Sequence, residues 1–188
     1  MSEDWKLELP DWKKANLKSL EFIHTKANEA FNYTTNVADK ISSRAFTFIS
    51  ILIPILTLII SFVIKLLYVQ NEPIPRCFLT NVIFICLLFV ISFFGLIFII
   101  YPKKFMHAGR EPKELSDAQF IQNQNLNTEE QYLALLIGEI EGLQKKITVN
   151  ERINNDRICM LKTVLTFLLI AFFCSIVVIF SYPSFIFS

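Results

Sequence analysis

The chain has 188 residues, of which 53% are hydrophobic and 19% charged, with 18 Lys and Arg against 17 Asp and Glu. A soluble domain usually has about 45–50% apolar and about 25% charged residues, so this composition argues against an ordinary soluble enzyme. The near-neutral balance also argues against nucleic acid as the main partner, because a surface that binds a duplex shows a basic excess.

The N-terminal segment, residues 1–44, predicts a cytoplasmic helix over residues 12–44 that leads into an apolar run. Apolar or small residues recur there at spacings of three and four, which is typical of a helical packing stripe. The stripe has two interpretations, packing within the same subunit or an interface between subunits. Its members are Leu20, Ile23, Ala27, Ala30, Thr34, Val37 and Ile41.

Three runs of the chain contain no Asp, Glu, Lys or Arg, at residues 45–64, 77–102 and 163–188. Each exceeds or equals the roughly 20 apolar residues that cross a bilayer as a helix. Three such segments would need a larger core than a soluble chain of this length can wrap. The sequence therefore predicts an all-α membrane protein with three transmembrane helices, a hairpin over 45–102 and a third span over 163–188, and the lipid bilayer as partner.

The distribution of Lys and Arg predicts the orientation of the spans, because cytoplasmic segments carry an excess of these residues. Residues 1–44 contain seven of them, the hairpin loop two and residues 103–162 nine, and the C-terminal tail has none. We therefore expect a multi-pass protein of the inner (plasma) membrane. Its N-terminus and residues 103–162 face the cytoplasm, and its C-terminus lies outside.

The spans contain no Asp, Glu, Lys, Arg or His, which argues against an ion-coupled transporter. Pro54 lies in the middle of the first span and predicts a kink that could serve as a gate. Hydroxyl and amide groups either bond back to their own helix or join helices, which we favour, or line a pore. They belong to Thr47, Ser50, Thr57, Ser61, Thr80, Asn81, Ser92, Thr166, Ser175 and Ser181.

Residues 103–127 are polar and predict a loop with a short helix over residues 112–120. The region carries the one local cluster of basic groups, which either contacts anionic lipid or forms an anion site for a nucleotide ligand. We take it as the candidate ligand-binding site. It comprises Lys103, Lys104, His107, Arg110 and Lys113.

A second cytoplasmic helix starts at Thr128, where Thr128 and Gln131 form a capping-box pattern. No breaker follows before the third span, so one helix of about 80 Å is expected over residues 128–181. Its stripe predicts an oligomer seam, in which Asn side chains fix register and oligomeric state. Alternatively, the polar end of the stripe is solvated. The seam comprises Leu136, Ile140, Leu143, Ile147, Asn150 and Asn154.

Residue patterns for catalysis are absent from the sequence. The two histidines, His24 and His107, lie far apart in the chain, and the four cysteines show no C-x-x-C spacing. No nucleophile elbow, phosphate-binding loop or zinc motif occurs. We therefore expect a non-catalytic protein without a metal or cofactor.

The layout resembles the small transmembrane effectors of bacterial antiphage signalling systems, especially the Pycsar-type effector domain, and it is also similar to the related SLATT-type effectors. The resemblance rests on Ala38-Asp39-Lys40 before the first span, Phe94-Gly95 and Tyr101-Pro102 at the end of the second, and Glu130-Gln131-Tyr132-Leu133-x-x-Leu136 in the cytoplasmic stretch. It implies a dormant homo-oligomer. A nucleotide second messenger, made by a partner cyclase or nucleotidyltransferase, would switch it to permeabilise the membrane of an infected cell.

Two functions follow from these observations. The first is a non-catalytic, homo-oligomeric effector of antiviral (abortive infection) defence, which forms a pore or disrupts the inner membrane in response to a nucleotide-type signal. The second is a membrane anchor or assembly subunit that docks a soluble partner through residues 103–162.

Overall fold

The computed structural model of the chain describes residues 5–68, 75–101, 105–106, 109 and 125–182. Regular secondary structure in these ranges is entirely helical: a 3-10 turn at Trp12–Lys14, α1 at Leu17–Tyr68, α2 at Arg76–Ile100 and α3 at Thr128–Ser181. All three α-helices are long and apolar enough to cross a membrane. The predicted fold class is therefore confirmed, including one continuous helix from residue 128 to residue 181.

The start of α3 differs by one residue from the predicted capping box. The Asn127 side chain accepts from the backbone N–H of Glu130 at 2.8 Å, and the Glu130 carboxylate accepts from the backbone N–H of Asn127 at 2.9 Å. Asn127 is thus the capping residue, because an amide oxygen at this position satisfies a free N–H of the first turn as well as the Thr128 hydroxyl could. The hydrogen bond from Asn127, and then the ammonium of Lys13 at 3.2 Å, lower the pKa of Glu130.

The chain divides into two compact units, and α1 and α3 contribute to both. Unit 1 comprises Met1–Ala38 and Lys103–Asn154, and unit 2 comprises Asp39–Pro102 and Asn155–Ser188. These boundaries fall several residues before the predicted ones at 44 and 162, because the polar helices and the apolar spans meet within α1 and α3 rather than at loops.

Unit 1 is built on a parallel pair of helices, α1 and α3. Leu20 packs with Leu133, Leu136 and Ile140, and further along both helices Phe31 packs with Leu143 and Ile147. Buried α3 positions recur at alternating intervals of three and four, which is the spacing of a coiled-coil seam. The N-terminal residues Leu7, Leu9 and Trp12 cover the first of these clusters.

The α1 stripe predicted from sequence is correct for only part of its residues. Leu20, Thr34 and Ile41 are buried, whereas Ile23 and Ala30 are exposed. Phe31 and Ala38 take buried places in the seam instead. The apolar residues of this helix are too numerous to select one stripe, so the partner helix decides which of them are covered.

Unit 2 packs the apolar parts of α1, α2 and α3 closely together. Phe78, Leu96 and Ile99 of α2 are fully buried. The backbone of α2 approaches α3 at Gly95, where an added Cβ would lie 2.6 Å from a methyl carbon of Val164. Small residues at such contacts allow membrane helices to pack closely without a hydrophobic driving force.

Candidate functional site

The two seam asparagines of α3 are buried, so the solvated alternative is wrong for them. Asn150 accepts from the backbone N–H of Met106 at 3.0 Å and donates to the Met106 carbonyl at 3.2 Å. Asn154 donates to the carbonyl of Thr34 at 2.8 Å. Among the described residues, no donor reaches the Asn154 Oδ1 atom.

The stripe predicted as an oligomer seam is covered by the same chain. Its six members are 0–6% exposed, and their contacts are with α1 and with Met106. Since a second copy could not reach these side chains without separating α1 from α3, an oligomer must use another surface. The six are Leu136, Ile140, Leu143, Ile147, Asn150 and Asn154.

Arg157 continues the polar end of this seam into unit 2, where it is 5% exposed. Its guanidinium donates to the carbonyl of Ile99 at 3.1 Å and to the hydroxyl of Ser42 at 2.6 Å. The Ile99 carbonyl belongs to the last turn of α2, where helical partners run out. Arg157 therefore fastens the end of α2 to α1 and α3, and the carboxylate of Asp39 supplies the opposing charge.

Unit 1 contains a cavity of about 480 Å³ between α1, α3 and the segment after α2, and several charged and polar residues contribute to its lining. The α3 wall carries charged side chains at helical spacing, and the opposite wall carries an imidazole and an amide of α1. Lys146 donates to the carbonyl of Gly109 and so fixes one edge of the cavity. The lining comprises His24, Asn28, Met106, Gly109, Glu139, Gly142, Leu143, Lys145 and Lys146.

A histidine–carboxylate pair separates this cavity from a second one. His24 Nε2 lies 3.3 Å from Glu139 Oε2, and the Asn28 amide lies 3.2 Å from the same nitrogen. Both His24 and Glu139 also line a neighbouring cavity of about 400 Å³ beside Tyr132. The pair is about three-quarters buried, so its polar atoms are held in place for a ligand in either cavity.

The predicted basic cluster, Lys103, Lys104, His107, Arg110 and Lys113, lies outside the described residues, as does the short helix expected over residues 112–120. Two described residues that adjoin it in sequence, Met106 and Gly109, line the 480 Å³ cavity.

A polar stripe runs along the exposed face of α1 in unit 2. Its members are spaced by four, three, four, three and four residues, and all are exposed. At 100° per residue they occupy about 80° of the helix circumference, opposite the buried residues Ile41, Ala45, Leu52 and Leu56. We call this face the hydroxyl stripe. It comprises five residues with hydroxyl groups, together with Pro54 in their midst: Ser43, Thr47, Ser50, Pro54, Thr57 and Ser61.

Hydroxyl groups in the spans bond back to their own helix, as the favoured prediction states. Seven of the ten side chains named from sequence donate to the carbonyl four residues before them: Thr47, Ser50, Thr57, Thr80, Ser92, Thr166 and Ser175. A hydroxyl keeps acceptor capacity while it donates in this way, so an exposed one still presents an oxygen outward.

The exposed face of α1 in unit 2 carries the hydroxyl stripe together with large apolar side chains such as Phe46 and Leu58, which are 63% and 71% exposed. Large side chains such as Phe84 and Phe180 dominate the outer surfaces of α2 and α3, at 52% and 81% exposure. Such faces suit lipid, whereas a hydroxyl-bearing face is typical of helix contacts or of a water-lined path. Pro54 lies on the hydroxyl stripe, and α1 continues through it without interruption.

Sequence reasoning missed the cavity and the hydroxyl stripe for different reasons. The stripe could have been found, because its spacing of three and four residues is visible in the sequence. The cavity could not, since His24 and Glu139 are 115 positions apart and only the pairing of α1 with α3 brings them together.

Within the described residues, no three His, Cys, Asp or Glu side chains come together as metal ligands would. A scan against protein-family models matches no family, and searches of curated proteins and of solved structures give no match to this chain.

Proposed function

We propose that the chain is a non-catalytic, homo-oligomeric membrane effector of antiviral defence, which permeabilises the inner membrane when unit 1 receives a nucleotide-type signal. The observation that carries the proposal is the hydroxyl stripe. In unit 2, the outward face of α1 presents a row of oxygen atoms between exposed large apolar side chains such as Phe46 and Leu58.

The interior of unit 2 supports a pore formed between copies rather than through one chain. Phe78, Leu96 and Ile99 are fully buried at 0% exposure, and Ala171 of α3 is buried as well. Side chains packed in this way leave no room for water around them, and the cavity of about 260 Å³ between the three helices is lined almost entirely by apolar residues such as Leu58, Val82 and Val178. A conduit lined by the hydroxyl stripe therefore needs several copies arranged with α1 innermost.

The link between signal and pore follows from the bounds of the helices. α1 and α3 each contribute to both units and are each one unbroken helix. A displacement of α1 or α3 in unit 1 therefore moves a helix that also forms a span. The nucleotide nature of the signal comes from the resemblance described above.

The proposal is tested in proteoliposomes that contain the full chain and a potential-sensitive dye. The trigger is the small-molecule filtrate of phage-infected bacteria, and the filtrate of uninfected bacteria is its control. We expect rapid dissipation of an imposed potential with the first filtrate only. Equal dissipation with both, or none with either, contradicts the effector.

The stripe is tested by matched removal of hydroxyls. Ser50→Ala combined with Thr57→Val removes two oxygens from the stripe, and we expect the triggered flux to fall at least tenfold. Thr166→Val removes a hydroxyl of α3 that is also exposed and back-bonded. We expect this control to retain the flux, and an equal loss in both variants contradicts a stripe-lined pore.

The alternative function, an anchor that docks a soluble partner through residues 103–162, has support in the exposed Met106 and Tyr132. The same proteoliposomes distinguish the two functions. An anchor passes no ions with either filtrate, and its bound partner is lost when Tyr132 is replaced by Ser.

A further inference from the structure

The 480 Å³ cavity of unit 1 has the charges that an anionic small molecule requires. Lys145 and Lys146 supply two ammonium groups at one end of its α3 wall, and among the described lining residues Glu139 supplies a carboxylate two turns earlier. Glu139 lies within 3.3 Å of His24, whereas the two lysines lie at the other end of the α3 wall. The volume falls in the range of about 300–1,000 Å³ that small-molecule sites occupy.

Gly142 lies on the same wall, between the carboxylate and the lysines. A glycine within a helix costs about 1 kcal/mol relative to alanine. Packing within the chain does not require it, because an added Cβ would meet nothing within 4 Å. The missing side chain leaves bare backbone facing the cavity, which lets a ligand approach α3 closely.

The far edge of the cavity is fixed in place by backbone contacts. Asn150 holds both polar backbone atoms of Met106, and Lys146 donates to the carbonyl of Gly109. Two residues of the segment after α2 are thereby held against α3. A wall fixed in this way lowers the entropic cost of ordering the site when a ligand binds.

We propose that this cavity binds a small phosphate-bearing molecule, with its phosphate beside Lys145 and Lys146 and a hydrogen-bond donor of the ligand at Glu139. Two ammonium groups match the two negative charges of a phosphate monoester, and lysine binds phosphate as a point charge. Glu139 is an acceptor when ionised, so it selects an amino or hydroxyl group on the ligand. The assignment rests on the proposed function, because it identifies where unit 1 receives the signal.

Binding is measured on the full chain in phosphatidylcholine nanodiscs, with adenosine 5′-monophosphate as the calorimetric probe and adenosine as its phosphate-free control. We expect saturable binding of the monophosphate and none of adenosine. Gly142→Leu fills the cavity and Lys145→Gln removes one charge, so each should weaken binding at least tenfold. Gly142→Ala adds one carbon in open space, and Lys18→Gln removes a charge from exposed surface outside the cavity. Both should bind within twofold of the wild-type chain.

A second set of nanodiscs that contains phosphatidylglycerol distinguishes a soluble phosphate from a lipid headgroup. Loss of monophosphate binding in these discs, with retention in phosphatidylcholine, identifies the headgroup as the competing occupant and supports the phosphate site. Equal weakening by Lys145→Gln and Lys18→Gln overturns it. So does a lack of monophosphate binding together with phosphatidylglycerol retention that Gly142→Leu leaves unchanged.

The outcome for the cavity is separable from that for the effector. Monophosphate binding that depends on the cavity, in a chain that never passes ions, supports the site and removes the effector. Triggered flux that survives Gly142→Leu overturns the site and leaves the effector in place.

Discussion

The two units of this protein use α1 and α3 in opposite ways. In unit 1 the two helices meet along a seam that includes amides and an adjacent contact between His24 and Glu139, and polar contacts hold further segments against them. In unit 2 the helices meet through apolar side chains and a close backbone approach at Gly95. Unit 1 therefore depends on contacts that a ligand or a proton can change, whereas unit 2 depends on shape.

Within unit 2, we expect a substitution at Gly95 to disrupt helix packing most severely. Gly95→Ala places a carbon 2.6 Å from Val164, a side chain too stiff to move aside, so we expect a loss of about 1–3 kcal/mol. The melting temperature in detergent micelles measures it. Gly95→Ala combined with Val164→Ala should recover most of the loss, and a double variant no more stable than the single one contradicts the close contact.

Arg157 makes strongly polar contacts on which unit 2 depends. Arg157→Met leaves the Ile99 carbonyl without its charged donor, and we expect a cost of about 1–3 kcal/mol in the free energy of unfolding. Arg157→Lys keeps the charge but loses the fork that reaches both the carbonyl and Ser42, so its cost should be intermediate. A lower melting temperature in detergent for Arg157→Lys than for Arg157→Met would contradict this role.

The asparagines of unit 1 should differ from each other despite similar burial. Asn150→Leu leaves the N–H of Met106 unpaired at a cost of about 1–3 kcal/mol. Asn154→Leu should be near neutral, because its partner carbonyl lies inside α1, where a helical hydrogen bond already uses it. The substitution also removes an oxygen that has no partner among the described residues. Melting temperatures that fall equally in both variants contradict the distinction.

We expect the smallest effect on stability from protonation of Glu130 at the start of α3. The pKa of Glu130 is lowered in the folded chain by Asn127 and then Lys13, so its ionised form stabilises the fold. That stability is present above the ordinary pKa of about 4.5 and is lost as the pH falls through the lowered value. Glu130→Gln should remove the acid-side slope of the melting temperature. An unchanged slope contradicts the capping role.

The fold was largely predictable because charge-free runs indicate helices surrounded by lipid, and charged segments indicate helices surrounded by water. The three spans, the continuous α3 and the heptad spacing of Leu136, Ile140 and Leu143 all follow from the sequence. The sequence did not reveal which helix covers these residues. An apolar stripe predicts a partner helix, and either α1 of the same chain or a helix of a second copy could be that partner. The cavity needed the register between α1 and α3, which no local pattern of His24 or Glu139 reveals.

The most direct test of the central claim is access of water to the hydroxyl stripe. In a chain with its four cysteines replaced by serine, Thr57→Cys places a thiol on the stripe and Leu87→Cys places one on the exposed face of α2. Triggered current across a planar bilayer is recorded while a charged, thiol-specific reagent is added. We expect the reagent to block the current of the Thr57→Cys variant and to leave the current of the Leu87→Cys variant unchanged. Block of Leu87→Cys alone, or equal block of both, would contradict a pore lined by α1.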